Sequence, residues 1–483
     1  MPAQAEKIPV ADHCVSTIAD DITQTAYWSW DRMFTMTRAE REDYQLKAAR
    51  RRFDELAPRI TALREQADQA GISKINTLND LVPLLYNHTV FKSYPLSLLE
   101  KNRFDLLTRW FQRLTPIDLS GIDASQCDGI DDWLTLLETQ TPLQIVHTTG
   151  TTGKLSFMPR TPLEGDLWAI IQIKTIRERF GNGPQDHVGE ADVSLPMIYP
   201  SVRYGRYTTQ RVLDYMAQHF CPAPDQLYAL SYGTLSADLV SLSGRIRVAQ
   251  AKGELAQMKL SDSQRVALKR YLAEVDRRPQ EAADFFGRMA NELKGKRVYI
   301  NSQTSYLFQA ATEGLKRGLR DVFSKDSIGI AGGGGKGIVL PPNYRDTIAE
   351  FTGIPRSHWA PNSYGMTELT GVIPGCIDDH AHLPPYLVPF LVNPETGAML
   401  PREGRQTGRF AAFDLLAQNM WGGIITGDKV TIEWDRQCPC GRTGPHVHNS
   451  ISRYDATVTG DDKITCAATV DNTDAALQAL LGA

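Results

Sequence analysis

Between residues 37 and 71 the apolar positions Phe53, Leu56, Ile60 and Leu63 recur at alternating three- and four-residue steps, the spacing of one helix face, and Gly71 is placed to end the run. Pro58 has no amide proton to donate and should kink or split this helix. The Arg50-Arg51-Arg52 run occupies a single turn and is expected to form the solvated face. Residues 77–119 alternate apolar segments with prolines. Leu143-Gln144-Ile145-Val146 and Leu155-Ser156-Phe157-Met158 are short runs that predict the two strands of a hairpin. Residues 163–180 read as a helix and residues 193–199 as a buried strand ended by Pro200. Residues 235–296 are mostly helical: Ser261 and Gln264 form a capping box, and Pro279 separates that helix from one carrying Phe285, Phe286, Met289 and Leu293. No catalytic constellation falls in this stretch, which reads as a covering layer. Residues 327–331 form an apolar strand, and Trp421-Gly422-Gly423-Ile424-Ile425 another that runs into a turn ending at Asp428. Strands interleaved with helices predict an α/β protein of layered sheets and helices.

Composition narrows the class. With 483 residues, 42% of them hydrophobic, the chain has material for one large multilayer domain with appendages. A net charge of −4, with Lys and Arg scattered, gives no electrostatic case for nucleic acid. There is no apolar run of about 18 residues and no signal-like segment in residues 1–21, so a cytoplasmic protein without a membrane span is expected. Seven cysteines without a signal point to reduced thiols and metal ligation instead of a disulfide framework.

Four ordered strings carry chemistry. In Thr148-Thr149-Gly150-Thr151-Thr152-Gly153-Lys154 the glycines let backbone N–H groups turn toward an anion, the hydroxyls add donors, and Lys154 adds a point charge. Only two residues separate Gly150 from Gly153, and Leu155 follows the lysine, so this is not a Walker A loop; its flanking strands place it at a hairpin tip. In the second string, Gly332-Gly333-Gly334-Gly335-Lys336 follows the 327–331 strand, leaving bare backbone against which a flat ring can lie. The third is Asn362-Ser363-Tyr364-Gly365-Met366-Thr367-Glu368, and the fourth runs from Trp421 to Asp428. Arg203-Tyr204-Gly205-Arg206-Tyr207 is a weaker signal, fitting an acid-binding pocket but better fitting a surface patch.

Taken together these strings resemble the adenylate-forming superfamily, the acyl- and aryl-CoA synthetases, with the Tyr-Gly-Met-Thr-Glu string matching its pattern at every position. Phe91-Lys92-Ser93-Tyr94-Pro95 and the four-glycine run resemble the phenylacetate-CoA ligase and acyl-protein synthetase branch. The resemblance implies that residues 1–450 form the large adenylating domain, binding ATP, Mg2+ and a carboxylic acid. It implies that Thr148 to Lys154 hold the phosphates, that Gly333, Gly334 and Gly335 pack on the adenine, and that Tyr364 stacks on it. Gly365 and Met366 complete the nucleotide site; Thr367 donates to the α-phosphate, and Glu368 holds magnesium. Asp428 would accept both ribose hydroxyls. Ser452-Arg453-Tyr454-Asp455 resembles the family's hinge, with Ser452 where the usual glycine stands, and Arg453 as a ribose contact. Cys376, His382, Cys438 and Cys440 resemble that branch's Cys, His and Cys-Pro-Cys arrangement and imply a structural tetrahedral zinc, with His380 a competing ligand and separate buried thiols the plain alternative.

The expected reaction is acyl-adenylate formation followed by transfer to a thiol of coenzyme A, a carrier protein or a protein cysteine. Two other classes stay open: a ligase joining the acid to an amine or other non-thiol acceptor, and a homologue that binds nucleotide without turnover. Residues 451–483 read as a hinge and a shortened C-terminal piece that packs on the main domain, stays mobile or is completed by a partner, and Lys463 is the only lysine after Arg453. Cys466 is there either a small buried hydrophobe, the favoured reading, or a nucleophile that accepts the acyl group, as in acyl-protein synthetases.

Overall fold

The computed structural model describes residues 22–148, 153–180, 193–254, 265, 268–269, 278–331, 340–359, 363–448 and 450–454. Among them are two layered units, one with a parallel sheet between helices and one with a mostly antiparallel sheet. The mixed α/β class expected from the sequence is what the chain adopts.

Pro58 splits the first helix as predicted, into α1 (Arg38–Leu56) and α2 (Thr61–Ala70), and Gly71 ends the second in the left-handed conformation at φ 66°. Phe53, Leu56 and Leu63 are buried as their spacing required. The arginine run departs from expectation. Arg51 is exposed and pairs with Glu55, but Arg52 is buried and donates to the carbonyls of Ala417 and Gln418. Its position continues the Phe53 and Leu56 face, so packing overrides the charge pattern, and the carbonyls satisfy the guanidinium there.

After the short strand β1 (Tyr86–Asn87) and helix α3 (Ile130–Gln140), β2 (Val146–His147) and β3 (Phe157–Met158) pair antiparallel to make the predicted hairpin. Helix α4 spans Pro162–Phe180. The parallel sheet then forms from β4 (Met197–Tyr204), β5 (Leu227–Thr234), β6 (Tyr299–Ser302) and β7 (Ile328–Ala331), in spatial order β5-β4-β6-β7. Between these strands lie α5 (Thr208–His219), α6 (Ala237–Lys252), α7 (Arg278–Glu292) and α8 (Thr304–Lys316), and after β7 comes α9 (Tyr344–Thr352). Side chains alternate across the sheet. Met197 and Tyr299 face α4 and α5, while Ile198 and Ile300 face α7, α8 and α9. Pro200 does not end its strand: β4 runs on to Tyr204, with the pairing to β5 shifted between Tyr199 and Val202, an irregularity that accommodates the missing amide donor.

The second sheet is built from β8 (His380–His382), β9 (Leu387–Val392), β10 (Arg405–Asp414), β11 (Gly423–Glu433), β12 (His446–His448) and β13 (Ser452–Arg453), with β1 added parallel to β11. The largest core lies between this sheet and the N-terminal helices, where Phe53 packs edge-on against Trp421. No helix among the described residues is long and apolar enough to cross a membrane.

The Arg203 to Tyr207 segment exposes its Tyr204 ring, as a surface patch would, but not its arginines. Arg203 is buried and pairs with Asp214 at 2.5 Å, and Arg206 pairs with Asp131 at 3.0 Å and Glu138 at 3.3 Å. Asp131 and Asp238 in turn accept from each other's helix N-termini, so the segment ties α3, α5 and α6 together. Both guanidinium groups are structural.

Gly329 in β7 leaves no room for a side chain: a Cβ there would stand 2.1 Å from the Trp359 ring. Gly329→Ala should therefore destabilise the fold by about 1–3 kcal/mol. A lowered denaturant midpoint at unchanged slope checks it.

Candidate active site

The site residues gather where regular pairing in the antiparallel sheet breaks. Arg409 pairs with Lys429 and Ala411 with Ile425, so Thr426, Gly427 and Asp428 together oppose the single residue Phe410. The stretch expected as a turn is thus a bulge inside a strand that continues to Glu433. It is pinned on both sides. The Thr426 hydroxyl donates to the Phe410 carbonyl, the Arg409 guanidinium donates to the Thr426 carbonyl, and the Tyr454 amide donates to the Gly427 carbonyl.

The bulge aims Asp428 at two of the other predicted residues. The Tyr364 hydroxyl donates to one carboxylate oxygen at 2.8 Å, and Arg453, paired opposite Asp428 on β13, approaches the other at 2.8 Å. The Tyr364 ring is buried, edge-on to Phe410 at 5.2 Å between centroids, and burial together with the Asp428 charge holds its phenol protonated. Asp428 is thereby fixed in direction.

Thr367 and Glu368 follow on a short loop whose backbone is held by a residue the sequence reading missed. Arg160, just past β3, donates to the Glu368 carbonyl at 2.8 Å, the Thr367 carbonyl at 3.3 Å and the Thr370 hydroxyl at 2.5 Å, and pairs with Glu164 at 3.2 Å. Glu164 also accepts from the amides of Thr161 and Gln418, and Asp414 accepts from the Thr370 amide. All three charged groups are buried. Thr161 and Glu164 have the spacing of a helix-start capping box, the one signal in the sequence that could have marked this cluster. Burial pushes the Glu368 carboxyl above its usual range and Asp428 adds to this, while Arg160 and Arg453 act against it. A carboxylate in a partly desolvated setting has the chemistry of a ligand for a hard divalent cation.

Of the phosphate-loop string, Thr148, Gly153 and Lys154 are described. Thr148 closes the hairpin with Ser156, and Lys154 lies over the Tyr94 ring, 5.1 Å from its centroid. Gly153, at φ 80°, packs so closely on α6 that a Cβ would meet Arg245, and its carbonyl accepts from Ser241 at 2.6 Å. Thr149, Gly150, Thr151, Thr152, Gly333, Gly334, Gly335, Lys463 and Cys466 lie outside the described residues, as does the capping box at Ser261.

The sulfur and imidazole groups converge. Ligand atoms of Cys376, His382, Cys438 and Cys440 all lie within 4.8 Å of one another. Cys376 and Cys438 sulfurs are 3.8 Å apart, and the Cys440 sulfur is 3.4 Å from His382 Nε2. A zinc tetrahedron with bonds of about 2.3 Å to sulfur has edges of about 3.8 Å, so the set fits. Pairing of β8 with β12 brings the two ligand segments together. The Cys376 thiol is held well below its usual range by the Cys440 thiol that donates to it, with His382 contributing, while Cys440 is held above its own. His380 Nδ1 lies 3.2 Å from the Cys438 sulfur, and His446, also missed in the sequence, forms a second possible group with these two.

Neither a known protein family nor a curated protein matches this chain by sequence, whereas 43 chains of solved structures match it in structure. One is an open conformation of 2-hydroxyisobutyryl-CoA ligase in complex with 2-HIB-AMP and CoA: 15% identity over 94% of this chain and 75% of that one, TM-score 0.46. The same ligase in the postadenylation state, with R3-HIB-AMP, gives 15% identity, 94% and 73% coverage, and TM-score 0.46. ATP-bound MatB from Rhodopseudomonas palustris gives 13% identity, 63% and 46% coverage, and TM-score 0.30.

Removing the buried cation should be costly. Arg160→Met leaves Glu164 and Asp414 uncompensated and is expected to destabilise the protein by about 3–5 kcal/mol, measured by denaturant titration. Protein purified without added metal should contain one zinc per chain by elemental analysis, and Cys438→Ser should lose it.

Proposed function

We propose that the protein activates a carboxylic acid with Mg·ATP and passes the acyl group to a thiol. The observation that carries this reading is the meeting of Tyr364, Asp428 and Arg453 at one bulge, with Thr367 and Glu368 held beside it from the hairpin that bears the Thr/Gly/Lys string. Motifs far apart in the sequence then serve one nucleotide.

In this reading Asp428 takes both ribose hydroxyls, since a carboxylate offers two acceptor oxygens and Arg453 and Tyr364 fix its orientation. Residues 148–154 hold the triphosphate, residues 333–335 flank the adenine together with Tyr364, Gly365 and Met366, and Thr367 donates to the α-phosphate. Glu368 is the magnesium ligand, and the ion would offset phosphate charge. A carboxylate oxygen of the acid attacks the α-phosphorus, the α–β anhydride bond breaks, and pyrophosphate leaves. A thiolate then attacks the acyl carbon and AMP departs. Positioning and charge neutralisation supply most of the rate, because the chain itself forms no bond in the first step. The thiol belongs to coenzyme A, a carrier protein or Cys466, and the Cys3His zinc is structural because a filled tetrahedron leaves no open position.

Acid-dependent exchange of labelled pyrophosphate into ATP is the test. Exchange should appear with the right acid and fall by at least about a hundredfold in Glu368→Gln, which deletes a metal ligand while conserving shape. ATP binding without exchange for any acid would instead identify a nucleotide-binding protein. Intact-mass analysis after incubation with ATP and the acid separates a Cys466 adduct from direct acylation of coenzyme A, a carrier, or an amine.

A further inference from the structure

The parallel sheet opens at one place. β4 and β6 pair only at Met197 with Tyr299 and Ile198 with Ile300, yet β4 stays with β5 as far as Tyr204, and β6 stays with β7 as far as Ser302. Beyond Ile198 the two central strands are unpaired with each other. This is also where the strand order reverses, because from β4 the chain passes first to β5 on one side and then to β6 on the other. Ligands of open α/β sheets bind at the carboxyl ends of strands at such a reversal.

The opening is a cavity of about 260 Å³. Among the described residues nine line it, and all but Pro200 and Ile330 carry a hydroxyl or a side-chain amide. The Tyr199 hydroxyl, on an otherwise buried ring, lies near the side chains of Thr209 and Ser201. Leaving hydroxyl and amide groups of such a wall unpaired costs about 1–3 kcal/mol each, so a ligand that hydrogen-bonds to them gains what an alkyl chain cannot. Thr209 in the first turn of α5 lines the cavity, and the preceding Thr208 lines a separate recess shared with Thr367 and Thr370.

We propose that this cleft holds the body of the acid, and that the acid is a compact one bearing hydroxyl or amide groups, instead of a fatty or arylacetic acid; the inference rests on the adenylation reading. The volume is below the range of about 300–1,000 Å³ usual for drug-sized ligands. The hydroxyl and amide groups on the wall also select. A pocket built to hydrogen-bond a substrate rejects the analogue that lacks the group, because its own buried groups are then left unpaired.

The test is pyrophosphate exchange over hydroxy, amino and amide acids of three to eight carbons, each beside its deoxy or methyl counterpart, with phenylacetate and fatty acids of eight to sixteen carbons added. Exchange should favour the polar member by at least about tenfold in kcat/KM. Ser302→Ala and Thr209→Val should each shrink that ratio at least about threefold with the KM for ATP unchanged. Best exchange with phenylacetate or a fatty acid, or variants that leave the ratio intact, overturns the inference while leaving adenylation standing. No exchange with any acid overturns adenylation, and this inference with it.

Discussion

The Arg160 guanidinium is the interaction on which the arrangement depends. From one buried position it holds the backbone of Thr367 and Glu368, the hydroxyl of Thr370 and the carboxylate of Glu164, which itself receives the amides of Thr161 and Gln418. A hairpin end, a helix start, the Thr367 loop and the turn between β10 and β11 therefore meet at one charge. A buried ion pair gives little net stability against an apolar replacement, but it has a defined direction, and each of its hydrogen bonds fixes a backbone that a methyl contact would leave free to slide. The loop that bears Thr367 and Glu368 has little secondary structure of its own. Its order comes from this cation.

Two departures from regular strand pairing do the aiming. The three-against-one bulge at Thr426 to Asp428 turns a carboxylate that an unbroken strand would point elsewhere, and Tyr364 and Arg453 hold it. The separation of β4 from β6 after Ile198 opens the cleft. Both places give up backbone hydrogen bonds, with Gly427 in the bulge and Pro200 beside the cleft. The Cys3His cluster has a different task. It ties the loop before β8 to the loop before β12, closing the edge of the sheet whose middle carries Asp428.

By itself the sequence determined the elements and the chemistry that speaks through residue type. Periodicity placed the N-terminal helices, Pro58 their break and Gly71 their end, because these depend on local backbone energetics. The motif strings named Tyr364, Asp428 and Arg453, and the thiols and His382, because few other side chains suit the tasks that the resemblance implies. Tertiary structure alone decided which charges are buried. Arg52 and Arg160 look like ordinary surface arginines in the chain, and only the distant carbonyls of Ala417, Gln418, Thr367 and Glu368 give them interior partners. It likewise made Arg203 and Arg206 structural, turned an expected turn into a bulge, and opened the cleft between β4 and β6. Each of these outcomes rests on contacts between residues far apart in sequence, and no local pattern of hydrophobic and polar positions encodes such contacts.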